Sequence, residues 1–278
     1  KNENIMVELW LNPVRQQILR SMLGAFIGQE NLHRLESLEW EAEGDRFRNL
    51  AVAYPDYYTG PAFHGIAGGY LTEVAAVTYD AVTAIATPPR ETWVRRQLLE
   101  AVTNAPRQIL DLGCGTGSTT ILLKQAFPHA EVVGLDLSPY MLIVADAKAQ
   151  RAGLNIHWHL RLAEATGLES ETFDLVTASF LFHETPPPIA QSILQEGFRL
   201  TRRGGQVLIL DGSQPKLRHL GWLIRLFREP YSAVYAAGCV DDWATAAGFN
   251  QVSTRAVGWI HQLTQATKPR LAPDIHRR

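Results

Sequence analysis

The sequence predicts an α/β fold built around a mostly parallel sheet. Two observations lead to this prediction. A short apolar run, Gln108 to Leu112, passes directly into a glycine-rich turn and then into a helical pattern that begins at Ser118. Downstream, short apolar runs alternate with helical patterns, which is the arrangement of parallel strands joined by crossover helices. The 278 residues are enough for one large α/β domain with an appendage.

The first 50 residues have the pattern of helices and precede the sheet. Asn12 and Pro13 suit the N-cap and the first position of a helix, and apolar residues then recur at helical spacing as far as Phe26. A second, more polar helix is expected from Glu30 to Glu43. These N-terminal helices are the candidates for a homodimer contact.

A stretch interrupted by glycine and proline follows, and it concentrates aromatic side chains between residues 54 and 79. Loops usually lie on the surface, but clustered large rings need somewhere to bury. One interpretation is structural packing against the main domain. The other is a lid over the carboxyl ends of the strands, where open α/β sheets bind ligands. In that interpretation Tyr57, Tyr58 and His64 contact a bound substrate, and Tyr70 is a candidate catalytic residue.

Two helices lead from this aromatic segment into the sheet. They are expected at Tyr79 to Ala86 and at Glu91 to Val102, with proline as a helix breaker between them. The second helix leads into the first strand near Arg107. Residues 1–90 are therefore expected to form an N-terminal helical and lid segment, and residues 91–278 the main domain.

From the first strand onward, strands and helices alternate. Further strands are expected at Glu131–Asp136, Asn155–Leu160, Phe173–Ser179 and Gln206–Asp211. Crossover helices are expected at Pro139–Gln150 and Pro188–Leu200. Both helices begin with proline, which suits the first helical position because it has no N–H to leave unpaired.

The final third departs from this alternation. A cap insertion is expected at about residues 215–238, with a mixed basic and apolar helix pattern from Leu217 to Phe227. A short helix, Asp241 to Ala247, comes next. Two further strands, Gln251 to Val257 and Trp259 to Thr267, then form a terminal pair.

The glycine turn indicates a bound small molecule. Glycine permits the positive φ of a tight turn and removes the Cβ that would keep a ligand off the backbone. The turn also leads to a helix N-terminus, whose free N–H groups and positive dipole end face the same place. The spacing is G-x-G-x-G instead of the G-x-G-x-x-G of dinucleotide sites. Asp111 precedes the turn, and an acid there suits an ammonium or sulfonium group better than a pyrophosphate.

The run DLGCGTG, from Asp111 to Gly117, closely resembles motif I of the class I S-adenosylmethionine-dependent methyltransferases. The resemblance covers about residues 95–211 well and the terminal strand pair loosely, and it leaves out the first 80 residues. It implies the Rossmann-like fold of that family, a seven-stranded and mostly parallel sheet with one antiparallel strand. It also implies S-adenosyl-L-methionine as the cofactor.

Several residues are assigned to the cofactor through this resemblance. Asp136 ends the second strand, where an acid can accept both ribose hydroxyls. Glu164 stands where the family usually has an aspartate that binds the adenine amino group. Ser179 and Phe180 are expected beside the methionine part. The complete expected set is Asp111, Gly113, Cys114, Gly115, Thr116, Asp136, Leu137, Met141, Ala163, Glu164, Ser179 and Phe180.

His183 lies just past the fourth strand, at the mouth of the expected site. Its imidazole could take a proton from a substrate hydroxyl or amine, or it could hold the loop before Pro186 in place. It joins Tyr70 as a candidate catalytic residue. Tyr231, in the cap, is a further expected substrate contact.

The expected activity is methyl transfer from S-adenosylmethionine to a small or medium-sized, mostly apolar or aromatic acceptor, on oxygen, nitrogen or carbon. Two alternatives from other classes stay open. One is a non-catalytic module that binds S-adenosylmethionine, and the other is an NAD(P)-dependent oxidoreductase, against which the glycine spacing argues. Transfer to protein or RNA is a weaker alternative, because a net charge of −2 without a basic block weighs against a nucleic-acid partner.

Composition bears on the compartment and on metal binding. The two cysteines, Cys114 and Cys239, provide neither a disulfide framework nor zinc-ligand spacing, which predicts a reducing compartment and no metal. The first residues lack the apolar core of a signal peptide, and no apolar run is long enough to span a bilayer. Together these features predict a cytoplasmic protein.

Overall fold

The structure is a computed structural model that describes residues 39–270, apart from Ala67 and Pro88. The predicted helix between Asn12 and Phe26, most of the helix predicted from Glu30, and the homodimer contact assigned to both lie outside the described residues. Among the residues that are described, no helix has the length and apolar character needed to cross a membrane.

Helices and strands alternate through the middle of the chain, as the sequence predicts. The helices are α1 (Trp40–Asp45), α2 (Asp56–Thr59), α3 (Glu73–Ala86), α4 (Glu91–Glu100), α5 (Ser118–Ala126), α6 (Pro139–Arg151), α7 (Pro187–Leu200), α8 (Gln214–Leu217), α9 (Gly221–Phe227), α10 (Ser232–Ala237) and α11 (Val240–Ala246). The strands are β1 (Gln108–Leu112), β2 (Glu131–Asp136), β3 (His157–Leu160), β4 (Phe173–Ser179), β5 (Thr201–Gly212), β6 (Asn250–Val257) and β7 (His261–Thr267). Short 3-10 turns stand at Phe63–Gly65 and Phe182–Glu184.

The seven strands form one sheet in the order β3-β2-β1-β4-β5-β7-β6. Strands β1 to β5 run parallel, and β7 runs antiparallel to both of its neighbours, β5 and β6. This arrangement confirms the predicted seven-stranded sheet with one antiparallel strand. The strand order reverses between β1 and β4, and such a reversal leaves a crevice at the carboxyl ends of the strands where ligands bind.

An apolar layer covers each face of the sheet. Successive residues of a strand point to opposite faces, so Ile109 packs in one layer and Leu110 in the other. The layer with Ile109 includes Leu98 of α4 and Leu123 of α5, and all three side chains are fully buried. Burial on both faces explains why β1 reads as an uninterrupted apolar run and not as an alternating one.

Several element boundaries differ from the predictions. Helix α3 begins at Glu73, earlier than predicted, because the Thr72 hydroxyl caps it by accepting the amide of Ala75. Strand β5 begins at Thr201 and not at Gln206, because an irregularity in its pairing with β4 lets the glycine pair 204–205 continue the strand instead of ending it. The cap consists of three short helices, α8 to α10, in place of one long helix and its extension.

Candidate active site

Two adjoining cavities lie at the carboxyl edge of the sheet. The first encloses about 670 Å³ of empty space between the glycine turn, the end of β2 and the aromatic segment. The second encloses about 700 Å³ between α3, the cap and the loop that follows β4. Tyr79, Phe180 and Glu184 line both cavities. Two bound molecules would therefore meet at these three side chains.

The glycine turn and Asp136 form the floor of the first cavity. The two carboxylate oxygens of Asp136 accept the backbone amides of Gly115 and Ser138, both at 2.8 Å. Burial raises the pKa of Asp136 although these amides stabilise its charge. At Gly115 the backbone has a φ of +53°, and an added Cβ would lie 3.7 Å from the ring of Tyr79 on the cavity wall. The absence of that Cβ leaves the backbone open to a ligand.

The aromatic segment forms the roof of the first cavity. Tyr57, Tyr58, Phe63 and Tyr70 all line it. The rings of Phe63 and Tyr70 stack with their centroids 4.9 Å apart. The Tyr57 hydroxyl donates to Glu164 at 2.6 Å, which joins the segment to the loop after β3. The aromatic segment therefore lies over the carboxyl ends of the strands.

Helix α3 is held to the glycine turn by a partly buried polar cluster. Asp80 accepts the Thr116 hydroxyl at 2.5 Å and pairs with Lys148 of α6 at 2.7 Å. Lys148 also donates to Ser118, the first residue of α5, at 3.0 Å. The attraction of Lys148 lowers the pKa of Asp80 although burial opposes the shift. Residues that precede the sheet in the chain thus help to hold the turn.

His183 lines the second cavity and is oriented by Asp211 at the end of β5. Nδ1 of His183 lies 2.6 Å from Oδ1 of Asp211, and Nε2 lies 3.5 Å from Glu184 and 3.9 Å from Glu229. Burial works to lower the pKa of His183, but the Asp211 and Glu229 carboxylates outweigh it and hold the pKa well above its usual range. Asp211 is itself fixed by the backbone amide of Phe182 at 2.8 Å.

Glu184 connects the aromatic segment to the same cluster. One of its oxygens, Oε1, accepts the Tyr70 hydroxyl at 2.9 Å and lies 3.3 Å from Nε2 of His64. The other oxygen, Oε2, is buried without a hydrogen-bond partner among the described residues. Burial works to raise the pKa of Glu184, but the hydrogen bonds with His183 and His64 outweigh it and hold the pKa well below its usual range. Glu184 is therefore a carboxylate at neutral pH.

The comparisons with known proteins agree with this geometry. Residues 109–205 match a protein family described as a methyltransferase domain. This region of the chain, residues 109–205, belongs to the class I S-adenosylmethionine-dependent methyltransferase family. The resemblance seen in the run DLGCGTG is thereby confirmed, together with the Rossmann-like fold that it implies.

Within this methyltransferase family, the chain is similar to two demethylmenaquinone methyltransferases. It is 35% identical to the one from Thermus thermophilus over 135 residues, which cover 49% of this chain and 60% of the relative. It is 38% identical to the one from Lactobacillus johnsonii over 141 residues, covering 48% and 56%. The chain thus spans less than two thirds of the length of these relatives.

A solved structure supports the fold of this chain. Phosphoethanolamine N-methyltransferase 2 of Haemonchus contortus, in complex with S-adenosyl-L-methionine, superposes with a TM-score of 0.60. The sequence identity is 14%, and the superposition covers 79% of this chain and 61% of that chain. At this identity the likeness is one of fold.

The structure brings most of the residues expected to bind the cofactor to one place. The first cavity is lined by Gly113, Gly115, Asp136, Leu137, Met141, Ala163, Glu164 and Phe180. The expected substrate and catalytic residues divide between the two cavities. Tyr57, Tyr58 and Tyr70 line the first, and His64 and His183 line the second.

The remaining expected residues lie behind the cavity walls. Both oxygens of Asp111 accept threonine hydroxyls, from Thr177 at 2.7 Å and from Thr120 at 2.6 Å. Thr116 is turned toward Asp80, and Ser179 accepts the hydroxyl of Thr119. Cys114 packs against Leu142 and Leu160, and Tyr231 donates to the backbone of Tyr57. Short side chains on this turn point into the layer between sheet and helix, because the turn presents its backbone to the cavity.

Several lining or supporting residues were not on the expected list, among them Tyr79, Glu184, Asp211, Glu229 and His261. Asp211 had a recognisable signal, since it ends a central parallel strand as Asp136 does. His261 faces the second cavity from β7, and burial lowers its pKa to about 4, so it is neutral there. Glu229 had no local signal, because it reaches the cavity only through the fold of the cap.

Proposed function

We propose that this chain transfers a methyl group from S-adenosylmethionine, bound in the first cavity, to a small organic acceptor bound in the second. The observation that carries the proposal is the shared boundary of the two cavities at Tyr79, Phe180 and Glu184. A methyl group can pass directly between two ligands only if they meet in line, away from water. Adjoining cavities under an aromatic roof provide that arrangement.

The residues of the first cavity suit S-adenosylmethionine. Asp136, held by two backbone amides, would accept the ribose hydroxyls. The open space above Gly115 would let the cofactor approach the polypeptide backbone. Leu137 and Met141 offer apolar surface to the adenine, and Glu164 is within the same wall. The cofactor, when bound, supplies a methyl group on a positively charged sulfonium sulfur, which becomes a neutral thioether after transfer.

The second cavity suits an acceptor with an apolar body and a hydroxyl or amine. Val82, Leu217, Ile224 and Ile260 supply apolar wall, and His183 supplies the proton acceptor. Asp211 orients the imidazole with Nε2 toward the cavity, which is the position for removing a proton from the acceptor as the new bond forms. The names of the two relatives support a quinone-like acceptor as the first candidate.

Methyl-labelled S-adenosylmethionine tests the proposal. The purified chain would be incubated with the labelled cofactor and a panel of hydroquinones, naphthols, catechols and aromatic amines, and products followed by mass spectrometry. Label in an aromatic acceptor that disappears with Asp136→Asn supports the proposal. Tight cofactor binding without transfer to any panel member or to a metabolite extract would favour a non-catalytic binding module. Binding of neither S-adenosylmethionine nor S-adenosylhomocysteine would refute the proposal.

A further inference from the structure

Glu184 lies at the junction of the two cavities, and one of its two carboxylate oxygens makes no hydrogen bond to the described residues. Its side chain is 11% exposed, and Oε2 has no hydrogen-bond partner among the described residues. An ionised carboxylate that is removed from water needs a partner of opposite charge or a hydrogen-bond donor. The partner of Oε2 is therefore to be sought in a ligand that reaches the junction.

The surrounding charges make this junction electronegative. Glu229 lies close by, with ligand atoms of His64, Glu184 and Glu229 all within 4.8 Å of one another. Asp211 adds a third carboxylate behind His183. If His64 and His183 are both protonated, their two positive charges face the three negative charges of Glu184, Glu229 and Asp211, so one negative charge is in excess. Among the described lining residues, the second cavity has no lysine or arginine, and Arg161 lines the first. Arg95, which packs on the Phe180 ring, is paired with Glu91.

We propose that Glu184, with Glu229 behind it, selects the sulfonium form of the cofactor over its demethylated product. This inference rests on the proposed function. S-adenosylmethionine carries a positive charge on sulfur, S-adenosylhomocysteine does not, and the two molecules are otherwise alike apart from the methyl group. A carboxylate at the junction attracts the first and is left unpaired by the second, so it weakens retention of the spent cofactor.

The selection acts on binding and release and not on the chemical step. The positive charge leaves sulfur as the methyl group is transferred, so a nearby carboxylate stabilises the starting state more than the transition state. The attraction between the sulfonium charge and the carboxylate falls with distance and with the effective dielectric constant, and the neighbouring imidazoles reduce it further. We expect the remaining effect to be about tenfold in relative affinity.

The test is calorimetric titration of both ligands into the wild type and into Glu184→Gln. Buffers contain EDTA, because a divalent cation at this cluster would cancel its charge. In the wild type the ratio of Kd for S-adenosylhomocysteine to Kd for S-adenosylmethionine is measured, and Glu184→Gln is expected to lower it about tenfold. Tyr70→Phe is the matched control, since it removes one hydrogen bond to Glu184 and keeps the charge, so the ratio should be unchanged.

Because both Kd values are measured on the same variant, general damage to the cavity affects both of them and cancels in their ratio. An unchanged ratio in folded Glu184→Gln would overturn the inference and leave the proposed function standing, whereas no binding of either ligand to the wild type would remove the proposed function itself. If Glu184→Gln does not fold, Glu229→Gln provides the same comparison, with an expected fall of about threefold. An unchanged ratio there would also overturn the inference.

Discussion

His183 and Asp211 form a hydrogen-bonded pair beside the second cavity, with Nδ1 of the imidazole 2.6 Å from Oδ1 of the carboxylate. Because a carboxylate accepts hydrogen bonds, Nδ1 carries a proton whether the ring is charged or neutral, and Nε2 becomes a free nitrogen only after the imidazolium has lost its second proton. Nε2 faces Glu184 and Glu229, and neutral His261 contacts the ring of Phe180. The pair resembles a base and the group that orients it.

The first prediction concerns the pH dependence of turnover. Protonated His183 cannot act as a base, so the rate should rise as pH increases through its pKa. Asp211, Glu229 and Glu184 stabilise the imidazolium, so this limb should lie above about pH 6.5, the usual histidine value. Asp211→Asn should move the limb to lower pH because it removes a negative charge. His183→Gln should lower kcat about 100-fold and abolish the limb, whereas profiles that match the wild type would return His183 to a structural role.

The second prediction concerns Asp136 and the cofactor. Asp136→Asn removes the charge that would strengthen two hydrogen bonds to the ribose, so affinity for S-adenosylmethionine should fall about 10- to 100-fold. Glu131→Gln is the matched control, because Glu131 begins the same strand at the opposite edge of the sheet and is exposed. Calorimetry with equal losses in both variants would contradict the ribose assignment.

The third prediction separates backbone strain from access at the glycine turn. Gly115 and Gly153 both have positive φ, at +53° and +66°, but a Cβ on Gly153 meets nothing within 4 Å. Gly115→Ala and Gly153→Ala should therefore cost similar stability, about 1 kcal/mol each. Only Gly115→Ala should weaken cofactor binding, by about tenfold or more. If Gly115→Ala binds S-adenosylmethionine as the control does, the cofactor does not approach the backbone there.

The fourth prediction concerns buried Asp111, behind the first cavity. Burial raises its pKa to about 6, while the hydroxyls of Thr120 and Thr177 oppose the shift. An acid whose pKa is raised on folding loses stabilising effect as pH rises from its unfolded value, about 3.9, through its folded value. The free energy of unfolding of the wild type, relative to Asp111→Asn, should therefore fall by roughly 3 kcal/mol between about pH 4 and pH 6.5 and then stay level. Parallel urea-unfolding curves for the two proteins across this range would contradict it.

Much of the fold was predictable because local signals and tertiary structure agree. The apolar β1 run, the glycine turn and the Ser118 helix start each specify one element, and an acid at the end of β2 specifies the Asp136 position. The side-chain direction of Asp111 was also available in principle. Asp111 lies two residues after Ile109, so the alternation of side chains along the strand turns it toward the α5 layer and away from the cavity. There it accepts the hydroxyl of Thr120.

The rest could not be predicted, because it depends on residues that meet only in three dimensions. The Tyr57 hydroxyl reaches Glu164 across 107 positions of the chain, and Tyr70 reaches Glu184 across 114. No periodicity or short motif encodes such pairs. The position of Glu229 in the cap was unpredictable for the same reason. Glu229 approaches His183 only because the segment after α9 folds back on it.

The tie between Asp80 and Lys148 bears on which part of the chain behaves as a transferable module. The region that matches the methyltransferase domain, residues 109–205, contains Lys148, Thr116 and Ser118 but not Asp80, whose carboxylate pairs with Lys148 and accepts the two hydroxyls. A chimera that borrows this region alone would leave Lys148 beside the glycine turn without its ion-pair partner. The sequence predicts residue 90 as the boundary between the lid segment and the main domain. We propose that helix α3, Glu73–Ala86, nevertheless depends energetically on the main domain and has to be included in any transferred module.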